Sequence, residues 1–314
     1  MGTFDIYVDS AANLPDEIRI SRDIRVIAYN YIIDGKEYPC LEEGVAFTES
    51  AKKFYRAMRA GTEAKTSLIG EERFIEAVTP SLEAGRDVLI LTIASGISGT
   101  FRQAQAAQKT LSERFPNRTI AALDSANASL GEGLLAIKLA DLRDMGESAE
   151  STADWLLNNA YKMNSYLTVG DLKYLRRGGR ISAALAVAGT LLSIKPIIKA
   201  DGSATPKLTF AGREHGRKKA ISALIKAFHD NVEQPETQTV AVAHADCEEE
   251  ALALAETLKS QGVHDVIVEY YDICTGAHAG PGTLAIFFMG KDRRGEEAAK
   301  RAPLSFRKTV KDTV

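Results

Sequence analysis

The sequence predicts an α/β protein in two parts. Residues 1–163 read as a three-layer α/β/α domain with a mainly parallel sheet, and residues 164–290 as a mixed α+β domain. Three observations carry this. Strand-like and helix-like segments alternate through the first part, which favours parallel strands with helices on both faces of the sheet. Residues 87–94 (DVLILTIA) are apolar almost throughout, as a strand covered on both sides requires. After residue 163 the pattern changes to longer strands mixed with fewer helices.

The elements follow in order. FDIYV (4–8) is the first strand, followed by a polar loop. Residues 24–39 read as a hairpin inserted into the first domain, turning at Asp34-Gly35. Residues 48–61 have helical spacing, with Thr48 as N-cap and a closing glycine. Strand 87–94 leads into a helix over 98–115, and strand 118–124 into a helix from Ser129 to about Met145. Another helix covers 148–163. Residues 165–182 then lead through an Ala/Leu-rich helix into LLSIKPIIKADGS. Next come a strand near 205–210, a helix over 214–231, strand 239–246, helix 248–261, and strands 266–273 and 283–290. Residues 291–314 form a basic tail with few apolar residues.

Composition narrows the function. The 314 residues are 45% hydrophobic and 26% charged, with a net charge of -3. That balance excludes a nucleic-acid binder that relies on overall charge. No run reaches the roughly 18 apolar residues of a spanning helix. The strand-like start MGTFDIYVDS leaves no place for a signal peptide. Cys40, Cys247 and Cys274 form no C-x-x-C pair, so reduced thiols in a cytoplasmic protein are expected. No His, Asp or Glu spacing suggests a metal site, and no G-x-G-x-x-G or Walker A sequence suggests a nucleotide site.

Three clusters combine glycine with hydroxyl or imidazole groups: Lys65-Thr66-Ser67, Ser95 to Thr100, and Thr275 to Gly282. Loops at the carboxyl ends of parallel strands line the ligand crevice of open α/β sheets. A helix starting at Ser98 would aim free N–H groups into such a crevice, and Gly96 and Gly99 would let an anion approach the backbone. A plain helix cap with a flexible turn satisfies the same residues. A nucleophile elbow does not, because Gly96-Ile97-Ser98-Gly99 places the second glycine one residue early. A serine hydrolase would need His278 as base, the histidine bracketed by glycines. His244, in an apolar strand, reads as a core residue; His215, His229 and His264 read as surface residues. The Gly178-Gly179 pair frees the backbone to swing Arg180 toward a site, and arginine suits a carboxylate or phosphate. Arg217-Lys218-Lys219 reads as a solvated helix end.

Assembled in order, these residues resemble the DegV family of bacterial fatty-acid-binding proteins. The similarity runs over about residues 5–290. It includes Asp9-Ser10 with Asn13-Leu14-Pro15, Thr66-Ser67, Ser95 to Thr100, and Asp124-Ser125 with Ser129-Leu130-Gly131. In the second half it takes in Gly178-Gly179-Arg180-Ile181-Ser182, Ile194-Lys195-Pro196 and Gly276 to Gly282. The resemblance implies a tunnel between the two domains that holds one long-chain fatty acid. Thr66, Ser95, Gly96 and His278 would bind its carboxylate, with Arg180 nearby. It also implies a non-catalytic subunit without cofactor that presents the acid to a separate fatty acid kinase, leaving room for transient membrane contact. A serine-dependent acyl hydrolase and a lipid-sensing module without a kinase are the alternatives. Two positions depart from the family pattern: Leu68-Ile69-Gly70 replace its usual Gln-Pro-Ser, and His215 stands where arginine is common. With Arg213 and Arg217, His215 marks the expected partner-docking region.

Overall fold

The computed structural model describes residues 4–41, 47–181, 193–295 and 303–306. The first sheet is parallel, in the order β2-β1-β6-β7. These strands are β1 (Phe4–Asp9), β2 (Ile24–Ile27), β6 (Asp87–Thr92) and β7 (Ile120–Asp124). Val88, Leu89, Ile90 and Leu91 are all fully buried, which accounts for the unbroken apolar run. Helices α3 (Glu71–Glu83) and α4 (Thr100–Arg114) pack together against this sheet; α5 (Leu130–Asp144) and α6 (Ala149–Asn159) form a second such pair.

The second sheet is mixed, in the order β10-β9-β8-β13-β11-β12. Its strands are β8 (Met163–Thr168), β9 (Ile194–Ala200), β10 (Leu208–His215), β11 (Thr239–His244), β12 (Asp265–Tyr270) and β13 (Leu284–Met289). Only β11 and β12 run parallel; the other pairs are antiparallel. Helices α8 (Arg217–Asn231) and α9 (Glu248–Ser260) cover one face and enclose a core of their own around Phe228, Leu254 and Phe288. Helix α5 touches β1 and β6 of the first sheet and β8, β11 and β13 of the second. It therefore lies between the sheets, and its residues are buried on nearly every side. Its polar stripe is confined to Lys138, Asp141 and Asp144 in the second half.

The segment expected to form one hairpin divides. Ile24–Ile27 joins the parallel sheet, and only β3 (Asn30–Ile33) and β4 (Lys36–Pro39) form the hairpin, turning at Asp34-Gly35. Both turn residues have positive φ, as the sequence suggested. Strand β5 (Ala64–Ser67) pairs with β3 to complete a third, antiparallel sheet. Helix α2 (Phe47–Arg59) packs Phe54 edge-on against Tyr31 of this sheet. Short helices α1 (Asp16–Ser21), α7 (Lys173–Arg177) and α10 (Ile273–Ala279) are also present among the described residues.

Several boundaries differ from the sequence reading. The helix over 98–115 begins at Thr100, and the one over 148–163 ends at Asn159, followed by a 3-10 turn before β8. The strand over 266–273 ends at Tyr270 because Asp272 caps a new helix there. The Ala/Leu-rich helix expected after residue 182 lies outside the described residues. Of the basic tail, Arg293 is tightly placed: its Nη2 donates to the Ala126 carbonyl at 2.8 Å, and the guanidinium lies over the Tyr161 ring. Leu304 exchanges two hydrogen bonds with the Asn158 side chain on α6, and Phe306 packs against the core.

Candidate ligand-binding site

A cavity of about 210 Å³ lies between the sheets. Leu167 of β8 and Phe287 of β13 form part of its apolar wall, with Leu175 and Leu208. Three of the polar residues anticipated from the sequence, Thr66, Arg180 and His278, line the same cavity. The structure therefore brings together residues 212 positions apart in the chain: Thr66 Oγ1 lies 2.8 Å from His278 Nε2.

The way this pair is held follows from local packing. Thr66 stands on β5, opposite Tyr31 in the β3 register. His278 stands on α10, not in the open glycine loop that the sequence suggested. Asp272 caps this helix by accepting from the Thr275 amide at 2.8 Å. Tyr55 Oη donates to the Tyr271 carbonyl at 2.9 Å, just before the cap. The glycines serve close packing. A Cβ at Gly276 would lie 1.9 Å from Tyr55 Oη, and one at Gly280, where φ is +80°, 2.1 Å from the Tyr174 ring. Gly178 gives His278 its room in the same way, since a Cβ there would lie 2.4 Å from Nδ1.

Burial holds the His278 pKa down to about 4, with Arg180 and Arg177 adding repulsion. Its imidazole is therefore neutral near pH 7 and acts as a hydrogen-bonding group rather than a cation. The cation at the cavity is Arg180. Its Nε donates to the Ile97 carbonyl at 3.3 Å and its Nη1 to the Gly178 carbonyl. No carboxylate pairs with it among the described residues.

Ser95 and Gly96 are placed differently from these three. The Ser95 amide donates to Asp124 Oδ2 at 3.2 Å. Gly96 packs on the loop after β9, where a Cβ would lie 2.2 Å from the Pro206 carbonyl. From this turn, Ile97, Ser98 and Gly99 form the cavity wall. The Ser98 hydroxyl lies 3.0 Å from Thr100 Oγ1. Among the expected docking residues, Arg213 and His215 are exposed on the edge strand β10. Arg217 is occupied elsewhere, in an ion pair with Glu250 at 2.6 Å.

Sequence reasoning missed a buried acidic group beside the site. Asp9, at the end of β1, accepts from the amides of Ala11 and Ile93, each at 2.9 Å, and from Tyr29 Oη at 3.3 Å. Burial raises its pKa to about 7, with Asp272 contributing repulsion. Burial likewise raises Asp272 to about 6. Glu132 on α5 is pushed well above the usual carboxyl range by burial and by Asp9, Asp272 and Asp124. Asp9 and Asp272 come near each other from opposite ends of the chain, so no local spacing announced it. Among the described residues no group of His, Cys, Asp and Glu is arranged to hold a metal ion. No helix there is long and apolar enough to cross a membrane.

Fold and site define an α/β protein with a largely apolar internal cavity, walled by two sheets and furnished with a few hydroxyl, imidazole and guanidinium groups. The chain belongs to the DegV family, whose family model, described as "Uncharacterised protein, DegV family", matches residues 3–291. A DegV domain-containing protein of Clostridium perfringens is 35% identical over 291 residues, 92% of this chain and 98% of that one. Protein DegV of Bacillus subtilis is 31% identical, covering 91% of this chain and 99% of the relative. Among solved structures, a fatty-acid-binding DegV family protein from Thermus thermophilus superposes with a TM-score of 0.79 at 26% identity. It covers 93% of this chain and all of its own. The crystal structure of DegV, a fatty acid binding protein from Bacillus subtilis, gives 0.76 at 29% identity, with 93% of this chain and all of that one covered.

Proposed function

We propose that the protein binds one long-chain fatty acid in the cavity between its sheets, with the carboxylate at Thr66, His278 and Arg180. The observation that carries this reading is the meeting of Thr66, neutral His278 and Arg180 on an otherwise apolar cavity. In this arrangement His278 Nε2–H donates to Thr66 Oγ1, which frees the threonine hydroxyl to donate to the ligand. Arg180 compensates the carboxylate charge. Burying the acyl chain favours binding by about 0.8 kcal/mol per methylene. The donors limit the desolvation cost of the carboxylate, which would otherwise offset that gain. Fatty-acid binding by the Thermus thermophilus and Bacillus subtilis relatives supports the same reading.

The protein then acts as a carrier that presents the carboxylate to a separate kinase for acyl-phosphate formation. This part rests on the family resemblance and on a sequence without a phosphate-binding loop of its own. The exposed pair Arg213 and His215 is the proposed docking edge, from which the ion-paired Arg217 is removed. The Ser98 hydroxyl is turned to Thr100, and His278 Nε2 is paired with Thr66, which favours a carrier over a serine hydrolase. Native mass spectrometry tests the ligand: one fatty acid per chain is expected on purification or after loading. Protein that neither carries nor takes up fatty acid would refute the reading.

A further inference from the structure

The cavity between the sheets carries a polar group outside the Thr66, His278 and Arg180 set: the hydroxyl of Ser165 on β8. Side chains alternate across a strand. On β8, Tyr166 joins the core beneath α8 and α9, while Met163 and Leu167 belong to the core on the other face. Ser165 shares the face of Met163 and Leu167, and it lines the cavity beside Phe287, its partner on β13. It is 5% exposed, and its hydroxyl makes no hydrogen bond among the described residues. Tyr29, Ser98 and Asn127 on the same wall are engaged, by Asp9, Thr100 and the Met163 carbonyl.

A plain alkyl chain lying on this wall offers the hydroxyl no partner, and a buried polar group left unpaired costs affinity. A ligand that carries an oxygen where its chain passes Ser165 removes that cost. There is room for a substituent. The register that pairs Tyr166 with Lys199 places the small Ala200 beside Ser165, and Ala200 lines the same cavity. We propose that the preferred ligand is a long-chain fatty acid bearing a hydroxyl or oxo group on its chain, whose oxygen accepts a hydrogen bond from Ser165 Oγ. This rests on the fatty-acid reading of the cavity and adds the chemistry of the chain.

The oxygen belongs in the middle of the chain rather than beside the carboxylate. Strand β8 runs from Ser165 to Thr168 and on to Gly170, where a Cβ would lie 2.5 Å from the Pro281 carbonyl. Pro281 follows directly on the helix that carries His278, so this end of β8 points to the carboxylate site. Ser165 stands about 10 Å back from Thr168, at roughly 3.3 Å per residue. Tyr271 is a second hydroxyl to be separated from it: the residue is 3% exposed, lines the cavity, and its phenol makes no hydrogen bond among the described residues.

The test is isothermal titration of the delipidated full chain with stearic acid and with hydroxystearic and oxostearic acids substituted at successive carbons. Acids substituted in mid-chain should bind roughly tenfold more tightly than stearic acid, and acids substituted next to the carboxylate should show no gain. Ser165→Ala should erase the preference, tightening stearic acid and weakening the mid-chain derivatives. Equal affinity of plain and substituted acids for the parent would overturn the proposal while leaving fatty-acid binding intact. Failure of every acid to bind would overturn both. A preference kept in Ser165→Ala but lost in Tyr271→Phe would overturn the assignment to Ser165.

Discussion

Gly178 and His278 are packed so closely that a single methyl group on residue 178 would lie 2.4 Å from the imidazole Nδ1. Gly178, two places before Arg180, is thus also the seat of the histidine, and one short segment sets two of the groups on the cavity. Gly178→Ala should push the imidazole away from Thr66. Fatty-acid affinity should drop about tenfold, with the loss read by isothermal titration, while the fold is retained. An unchanged affinity would show that the ring has another way to reach Thr66.

Removal of either partner of the Thr66–His278 bond leaves the other unpaired in a largely buried place. Thr66→Ala and His278→Ala should each weaken binding by about 1–3 kcal/mol. Their combination should cost less than the sum, because they act as one unit. Additive losses in a double-mutant cycle would argue against the relay through the threonine hydroxyl.

Arg180 is assigned to charge rather than to shape. Arg180→Gln should therefore lower affinity for a free fatty acid by about tenfold to a hundredfold, within the range of charge-assisted hydrogen bonds. Affinity for the matching methyl ester should hardly change. Equal losses for acid and ester would assign Arg180 a packing role instead.

Ser95 separates two arrangements of the site. With its amide held by Asp124 and its side chain outside the cavity lining, Ser95→Ala should leave ligand affinity within about twofold of the parent. A loss as large as that of Thr66→Ala would place Ser95 against the carboxylate after all.

Stability should also depend on pH through Asp9. Its pKa is raised to about 7 from 3.8, and that of Asp272 to about 6. Between roughly pH 4 and 7 the folded chain holds protons that the unfolded chain has released, so this contribution falls as pH rises and then levels off. His278 and His244, lowered to about 4, act in the opposite direction up to roughly pH 6.5. Asp9→Asn should remove the share of this fall that Asp9 supplies. The gain of the variant over the parent in urea unfolding should then grow by about 3 kcal/mol from pH 4 to pH 8. A difference that stays constant with pH would show that Asp9 is ionised throughout.

The parallel sheet was legible because an apolar strand such as residues 87–94 has few alternative folds. The short elements were not. Helix α10 was hidden by its own glycines, which read as loop residues until Tyr55 and Tyr174 are seen filling the space above them. Strand β5 carries Lys65 and Thr66, too polar to signal a strand, and its place depends on pairing with β3. Thr66, Arg180 and His278, singled out by residue type, line one cavity. The contacts of Ser95 with Asp124 and of Gly96 with Pro206 join distant parts of the chain, which no local pattern records.

Helix α5 has a consequence for how the chain comes apart. Most of its length is buried and it touches both sheets, so neither half can shed the other without exposing it to water. A chain cut near residue 163 should yield two fragments that aggregate separately and recover structure only when mixed. The intact protein should melt in a single calorimetric transition, with the cavity opening by small shifts rather than by parting of independent lobes.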